Sequence, residues 1–165
     1  MPIVETVAAV LEPWKDLYSG STALSVSLTF AHLGSMMIGG GLAIAADRTV
    51  LKAGRPTDPK AIVALADAVG DVHRPVVIAL GVSAITGLLQ LAADFATFAV
   101  SKVMWVKLGL LLFLAVNGLL MLRDEKAVRR DAGSGKGIGA LRVRAITSVV
   151  LWLAITLAGV GLMQG

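Results

Sequence analysis

The sequence predicts an all-α membrane protein, a single four-helix transmembrane bundle formed by residues 1–165, on the strength of three observations. Four stretches, 22–46, 75–99, 103–122 and 145–163, are nearly free of charge. At about 1.5 Å per residue each can cross a hydrocarbon core roughly 30 Å thick. The composition, 56% hydrophobic and 16% charged, lies outside the range of ordinary soluble domains. The third observation is where the cations fall. Arg48, Lys52, Arg55, Lys60 and Arg74 separate the first two spans, and Arg123, Lys126, Arg129, Arg130, Lys136, Arg142 and Arg144 separate the last two, which makes twelve of the 15 basic residues. Both basic loops therefore belong on the cytoplasmic side of a bacterial inner membrane, with both termini on the other side. This asymmetry also accounts for the net charge of +4 without a nucleic-acid partner. The absence of cysteine excludes disulfides, thiolate nucleophiles and cysteine-ligated metals.

The elements follow in order. Ile3, Val7, Val10, Leu11, Trp14, Leu17 and Tyr18 recur at steps of three and four, which predicts an amphipathic helix lying at the membrane interface, bent or restarted at Pro13. The first span starts near residue 22 without a basic leader, so it reads as a retained span rather than a cleaved signal peptide. One of its faces carries Ser25, Thr29, His32, Ser35, Met36, Gly39 and Ala43. Such small and hydroxyl-bearing residues let helices approach closely in lipid, so this face should point into the bundle. Asp58-Pro59 marks the start of a short cytoplasmic helix with an apolar stripe of Ile62, Leu65, Ala66 and Val69. The second span repeats the small-residue face with Ala79, Ser83, Gly87, Gln90 and Asp94, and the two faces are expected to meet. Gly133, Gly135, Gly137 and Gly139 read as a flexible linker rather than a phosphate loop, because no strand precedes them and the Gly-Lys-Ser/Thr order is missing. Trp105 and Trp152, near the ends of spans three and four, read as interfacial anchors.

Polar groups inside spans are costly and usually functional, which singles out His32, Gln90, Asp94, Lys107 and Asn117. His32 has three readings: a hydrogen-bonded fastener between helices, a haem b or copper ligand, or a contact for a proton or substrate. Met36, four residues on, shares its helical face, and imidazole with thioether suits cuprous ion. His73 precedes span two on the cytoplasmic side, about 24 Å of helix rise from His32, so one subunit cannot clamp a haem between its two histidines. It reads as an interfacial loop residue. Asp94 and Lys107 fall at similar depth near the outer surface and read as an ion pair, and Asn117 as an interhelical hydrogen-bonding group.

The run Pro13-Trp14, Ser19, Ser21, Phe30-Ala31-His32-Leu33-Gly34, Gly39-Gly40 and Asp47-Arg48 resembles the opening of a family of small four-span bacterial membrane proteins. It continues with Thr86-Gly87-Leu88-Leu89 and with Val106-Lys107-Leu108 to Asn117. The pattern is similar, more loosely, to the copper-resistance D family, although the chain lacks a second intramembrane histidine. That resemblance implies a redox or metal-handling membrane protein centred on His32 with Met36. Two other classes stay open: a non-catalytic accessory subunit of a larger respiratory or photosynthetic-type membrane complex, and a small transporter component using Gln90, Asp94, Lys107 and Asn117. The expected partners are the lipid bilayer and either further copies of the chain or the other subunits of such a complex. The spans carry no nucleophile, acid–base pair or metal cluster, so no enzyme activity is expected.

The topology is directly testable. Reporter fusions at Gly54 and Gly135 should register as cytoplasmic and a fusion after Gly165 as non-cytoplasmic. Opposite locations for Gly54 and Gly135 would rule out four spans.

Overall fold

A computed structural model describes residues 2–54, 56–131 and 137–162. Arg55, Gly133, Gly135, Lys136 and Gly165, all named above, lie outside the described residues. The chain forms α1 (Pro2–Gly20), α2 (Thr22–Lys52), α3 (Pro59–Ala93), α4 (Phe95–Val100), α5 (Lys102–Arg130) and α6 (Ile138–Leu162), with no strand among the described residues. Four helices, α2, α3, α5 and α6, are long and apolar enough to cross a membrane, and the protein is a multi-pass helical membrane protein. Their outward faces carry the residues a lipid solvent accepts, among them Phe30 at 76% exposure and Leu112 at 67%.

Three side chains set the starts of these helices. Ser21 Oγ accepts from Leu24 N–H at 3.3 Å, Asp58 Oδ1 from Lys60 N–H at 3.1 Å, and Ser101 Oγ from Met104 N–H at 3.3 Å. Each satisfies a donor that the helix itself leaves without a partner. Pro59 follows Asp58 at the first turn, where its missing N–H costs nothing.

The expected short helix between the first two spans is not separate. Its stripe of Ile62, Leu65, Ala66 and Val69 is buried as expected, but α3 runs without a break from Pro59 to Ala93. Pro75 removes one hydrogen bond from the helix interior without stopping it, because packing holds the helix on both sides of the proline. The second span also ends earlier than the apolar run suggests. Asp94, at φ −136° and ψ 52°, terminates α3, and the run continues as the separate helix α4. Pro13 likewise lies within a continuous α1.

The four long helices form a ring in which α2 adjoins α3 and α6, while α5 adjoins α6 and α3, every neighbour antiparallel. The α2–α3 seam is the closest. A Cβ placed on Gly39 would come within 3.0 Å of Ala79 Cβ, and one on Gly40 within 3.1 Å of Trp152 Cε3. Trp152 is thus not an interfacial anchor. At 4% exposure it is a core residue packed with Leu114 and Ile155, because the two glycines open a slot deep enough for an indole.

At the end of the ring that carries the basic loops, the helices continue into a tightly buried cluster of Val50, Leu65, Val69, Met121, Leu141 and Ala145. A second cluster joins Ile62, Ala66, Val128 and Ile138. Ion pairs surround them: Arg129 reaches both Asp67 and Glu125, the latter at 2.7 Å, and Arg144 Nε lies 3.2 Å from Asp124. At the opposite end α1 packs across α3 and α4, tied by Trp14 Nε1, which donates to the Leu89 carbonyl at 2.9 Å.

Gly39→Leu should therefore separate α2 from α3 and lower thermal stability in detergent, with overpacking costing on the order of 1–3 kcal/mol. Gly34→Leu, on the same helix but with nothing within 4 Å of its Cβ position, should shift stability by less than about 0.5 kcal/mol. Equal melting temperatures for the two variants would contradict this packing.

Candidate functional site

The small faces of α2 and α3 do meet, and His32 fastens them. Its Nδ1 lies 2.8 Å from the Ser83 carbonyl, which can only accept, so Nδ1 carries the hydrogen. The hydroxyls of Ser83 and Thr86 stand at 3.3 and 3.4 Å from the same nitrogen. The ring rests on Gly87, where an added Cβ would come within 2.9 Å of His32 Cε1. Farther along the seam Gln90 Nε2 donates to the Leu28 carbonyl at 3.2 Å. Both polar side chains thereby take up carbonyls that stay bonded within their own helices, a common device in apolar surroundings.

The other residues singled out in the sequence divide. Met36 shares a helix with His32 but turns to a different neighbour, packing against the cluster of Leu114, Trp152 and Ile155. Among the described residues no group of three or more His, Asp or Glu gathers around a metal-sized centre. Lys107 is half-buried with its ammonium against α6, 3.7 Å from the Cβ position of Gly159. Asp94 is exposed where α3 ends, and among the described residues no ion pair links it to Lys107. The expected pairing fails because the chain leaves helical geometry at Asp94, so depth counted along a continuous helix does not carry through to that side chain.

Asn117 leads to a different place. Its Nδ2 donates to the Arg144 carbonyl at 3.1 Å, which fixes the orientation of the amide, and its Oδ1 is buried with no partner. It lines a cavity of about 440 Å³ bounded by α2, α3, α5 and α6. Asp47, 1% exposed, lines the same cavity with Oδ2 unpartnered, and Ser148 lines it as well. His73 also contributes to the wall. It belongs to helix α3 and is half-buried, a correction to its reading as a loop residue that follows from α3 being continuous. The remaining walls are apolar: Val69, Val72, Val76, Leu80, Leu114, Met121 and Trp152.

The cavity opens sideways. Val77, Gly81 and Ala84 of α3 and Ala115 and Leu119 of α5 line it and are also exposed, so its mouth lies between α3 and α5 on the outer face of the bundle. The chemistry is one-sided: the two unpartnered buried atoms, Asp47 Oδ2 and Asn117 Oδ1, are both acceptors. Leaving such an atom unpaired costs about 1–3 kcal/mol, which a donor-bearing guest would recover.

Asp47 and Ser148 were missed in the sequence reading. Asp47 stands four residues beyond Ala43, so it extends the small-residue face of span one by a further turn, and that spacing was the available signal. Ser148 had none, being a lone hydroxyl in an apolar run. No protein family, curated protein or solved structure matches the chain.

His32→Ala should lower thermal stability by about 1 kcal/mol, the scale of an interhelical hydrogen bond in a membrane. Ser83→Ala should cost less, since the shorter contact of His32 is to the main-chain carbonyl that this variant keeps. A larger loss for Ser83→Ala would contradict the assignment.

Proposed function

We propose that this protein is a non-enzymatic membrane protein that binds one amphipathic small molecule in the cavity between α3 and α5, as a carrier or transporter component would. The observation that carries the reading is the pair of buried unpartnered acceptors, Asp47 Oδ2 and Asn117 Oδ1, at the polar end of an otherwise apolar cavity of about 440 Å³. That volume lies in the ordinary range for a small-molecule site. The lateral mouth supports entry from the lipid, and the polar end lies toward the basic loops. With those loops in the cytoplasm of a bacterial inner membrane, the guest sits with its head in the inner leaflet and its apolar body toward the bilayer centre. The exposed Ile3, Val10 and Leu17 of α1, seven residues apart, favour its place at the opposite interface.

On this reading His32 is a structural fastener rather than a haem or copper ligand. Support comes from its bonded Nδ1, the close seat on Gly87 and the packing of Met36 among apolar side chains.

The binding test uses Trp152, a cavity wall residue, as the sole tryptophan in a Trp14→Phe, Trp105→Phe background. In phosphatidylcholine vesicles, 9-bromononan-1-ol should quench its fluorescence saturably. Gly118→Leu places a side chain in the cavity from a position with nothing within 4 Å, and should weaken that quenching at least about tenfold, or roughly 1.4 kcal/mol. Linear quenching that Gly118→Leu leaves unchanged would overturn the proposal.

A further inference from the structure

We infer that the guest is a lipophilic ammonium ion, held by Asp47 as its counter-charge. The inference rests on the binding reading above and adds the chemical class of the ligand. The basic end of the bundle pairs three other acids, one of them buried, with arginines. Glu125, 4% exposed, takes Arg129 at 2.7 Å, Asp67 shares that arginine, and Asp124 takes Arg144 at 3.2 Å. Asp47, at 1% exposure the most enclosed of these acids, has no cation within ion-pair distance among the described residues. Its sequence neighbour Arg48 is exposed, and Arg144, on the helix that faces it, is already committed to Asp124.

An uncompensated buried carboxylate is strongly unfavourable, and the open space beside Asp47 is the cavity that this residue lines. Asn117 Oδ1 offers a second acceptor to the same head group, as an ammonium with several N–H donors requires. Trp152 supplies an aromatic wall, favourable to a cation and to an alkyl chain alike. The rest of the lining is aliphatic, which suits a hydrocarbon tail. A bare metal cation of the hard class would need a shell of oxygen ligands in place of those walls.

The single-tryptophan protein in phosphatidylcholine vesicles separates these cases at pH 7. The probes are 9-bromononylamine and 9-bromononan-1-ol, each measured against the Gly118→Leu protein to remove simple partitioning. The amine should saturate at a concentration at least about tenfold lower than the alcohol, equivalent to roughly 1.4 kcal/mol. Asp47→Asn should abolish that preference while leaving alcohol binding in place. The comparison in the wild-type cavity stands without that variant should it fail to fold. Equal affinities for the two probes would overturn the ammonium assignment and leave the binding reading intact, whereas absence of saturation for both would overturn both. Replacing N-methylglucamine chloride by sodium chloride at constant ionic strength should not displace the amine, and Asp47-dependent displacement by sodium would instead assign the site to an alkali cation.

Discussion

The close approach of α2 to α3 is the constraint on which the rest of the bundle depends. Gly39 against Ala79 and Gly87 beneath the His32 ring leave no room for larger side chains, and the histidine hydrogen bond to the Ser83 carbonyl fixes the register between the helices. In lipid there is no hydrophobic gain from bringing two apolar helices together, so close packing and interhelical hydrogen bonds must supply the attraction. The same glycine pair, Gly39 and Gly40, accepts Trp152 from α6 and so determines the third helix of the ring as well. With α3 drawn toward α2, its opposite side is left to α5 across small residues, Gly81 and Ala84 against Ala115 and Gly118, and the space between them is the cavity. The cavity is thus a consequence of how the tight seam was built.

The two ends of the bundle are stabilised differently. Beyond the apolar stretches, toward the basic loops, Val50, Leu65, Val128, Leu141 and their neighbours are buried as thoroughly as the core of a soluble domain, with Arg129 and Arg144 holding acids around them. Closer to the middle the helices show apolar side chains outward, as at Phe30, Ile85, Phe113 and Leu157. Asp47 stands where these two regimes meet, with the buried cluster on one side and the apolar cavity on the other. A carboxyl group at that boundary can serve a head group while the tail stays among hydrocarbon.

Much of the fold was legible because periodicity and charge are local signals. The four spans, the Asp58-Pro59 start and the meeting of the two small faces all follow from residue spacing. Continuity across Pro75 was not legible, since a proline inside a helix is decided by tertiary packing on either side of it. Nor was the break at Asp94, which moved that side chain away from Lys107. The burial of Trp152 depends on a slot made by glycines on another helix, which no window of sequence contains. Of the site, Asn117 is legible as a polar residue inside a span, whereas Asp47 falls just beyond the first apolar stretch and Ser148 carries no signal at all. A cavity is the space between four helices, and only their relative placement brings its polar residues together.

The central claim, a tight α2–α3 seam that leaves α3 and α5 apart, is tested most directly by a crystal grown in a lipid mesophase and pressurised with xenon, which enters dry apolar cavities. The account predicts a xenon peak bounded by Gly81, Gly118 and Trp152, with Gly39 and Ala79 in contact on the far side of α3. Closure of α3 onto α5 at Gly81 and Gly118, with no xenon between them, would contradict it.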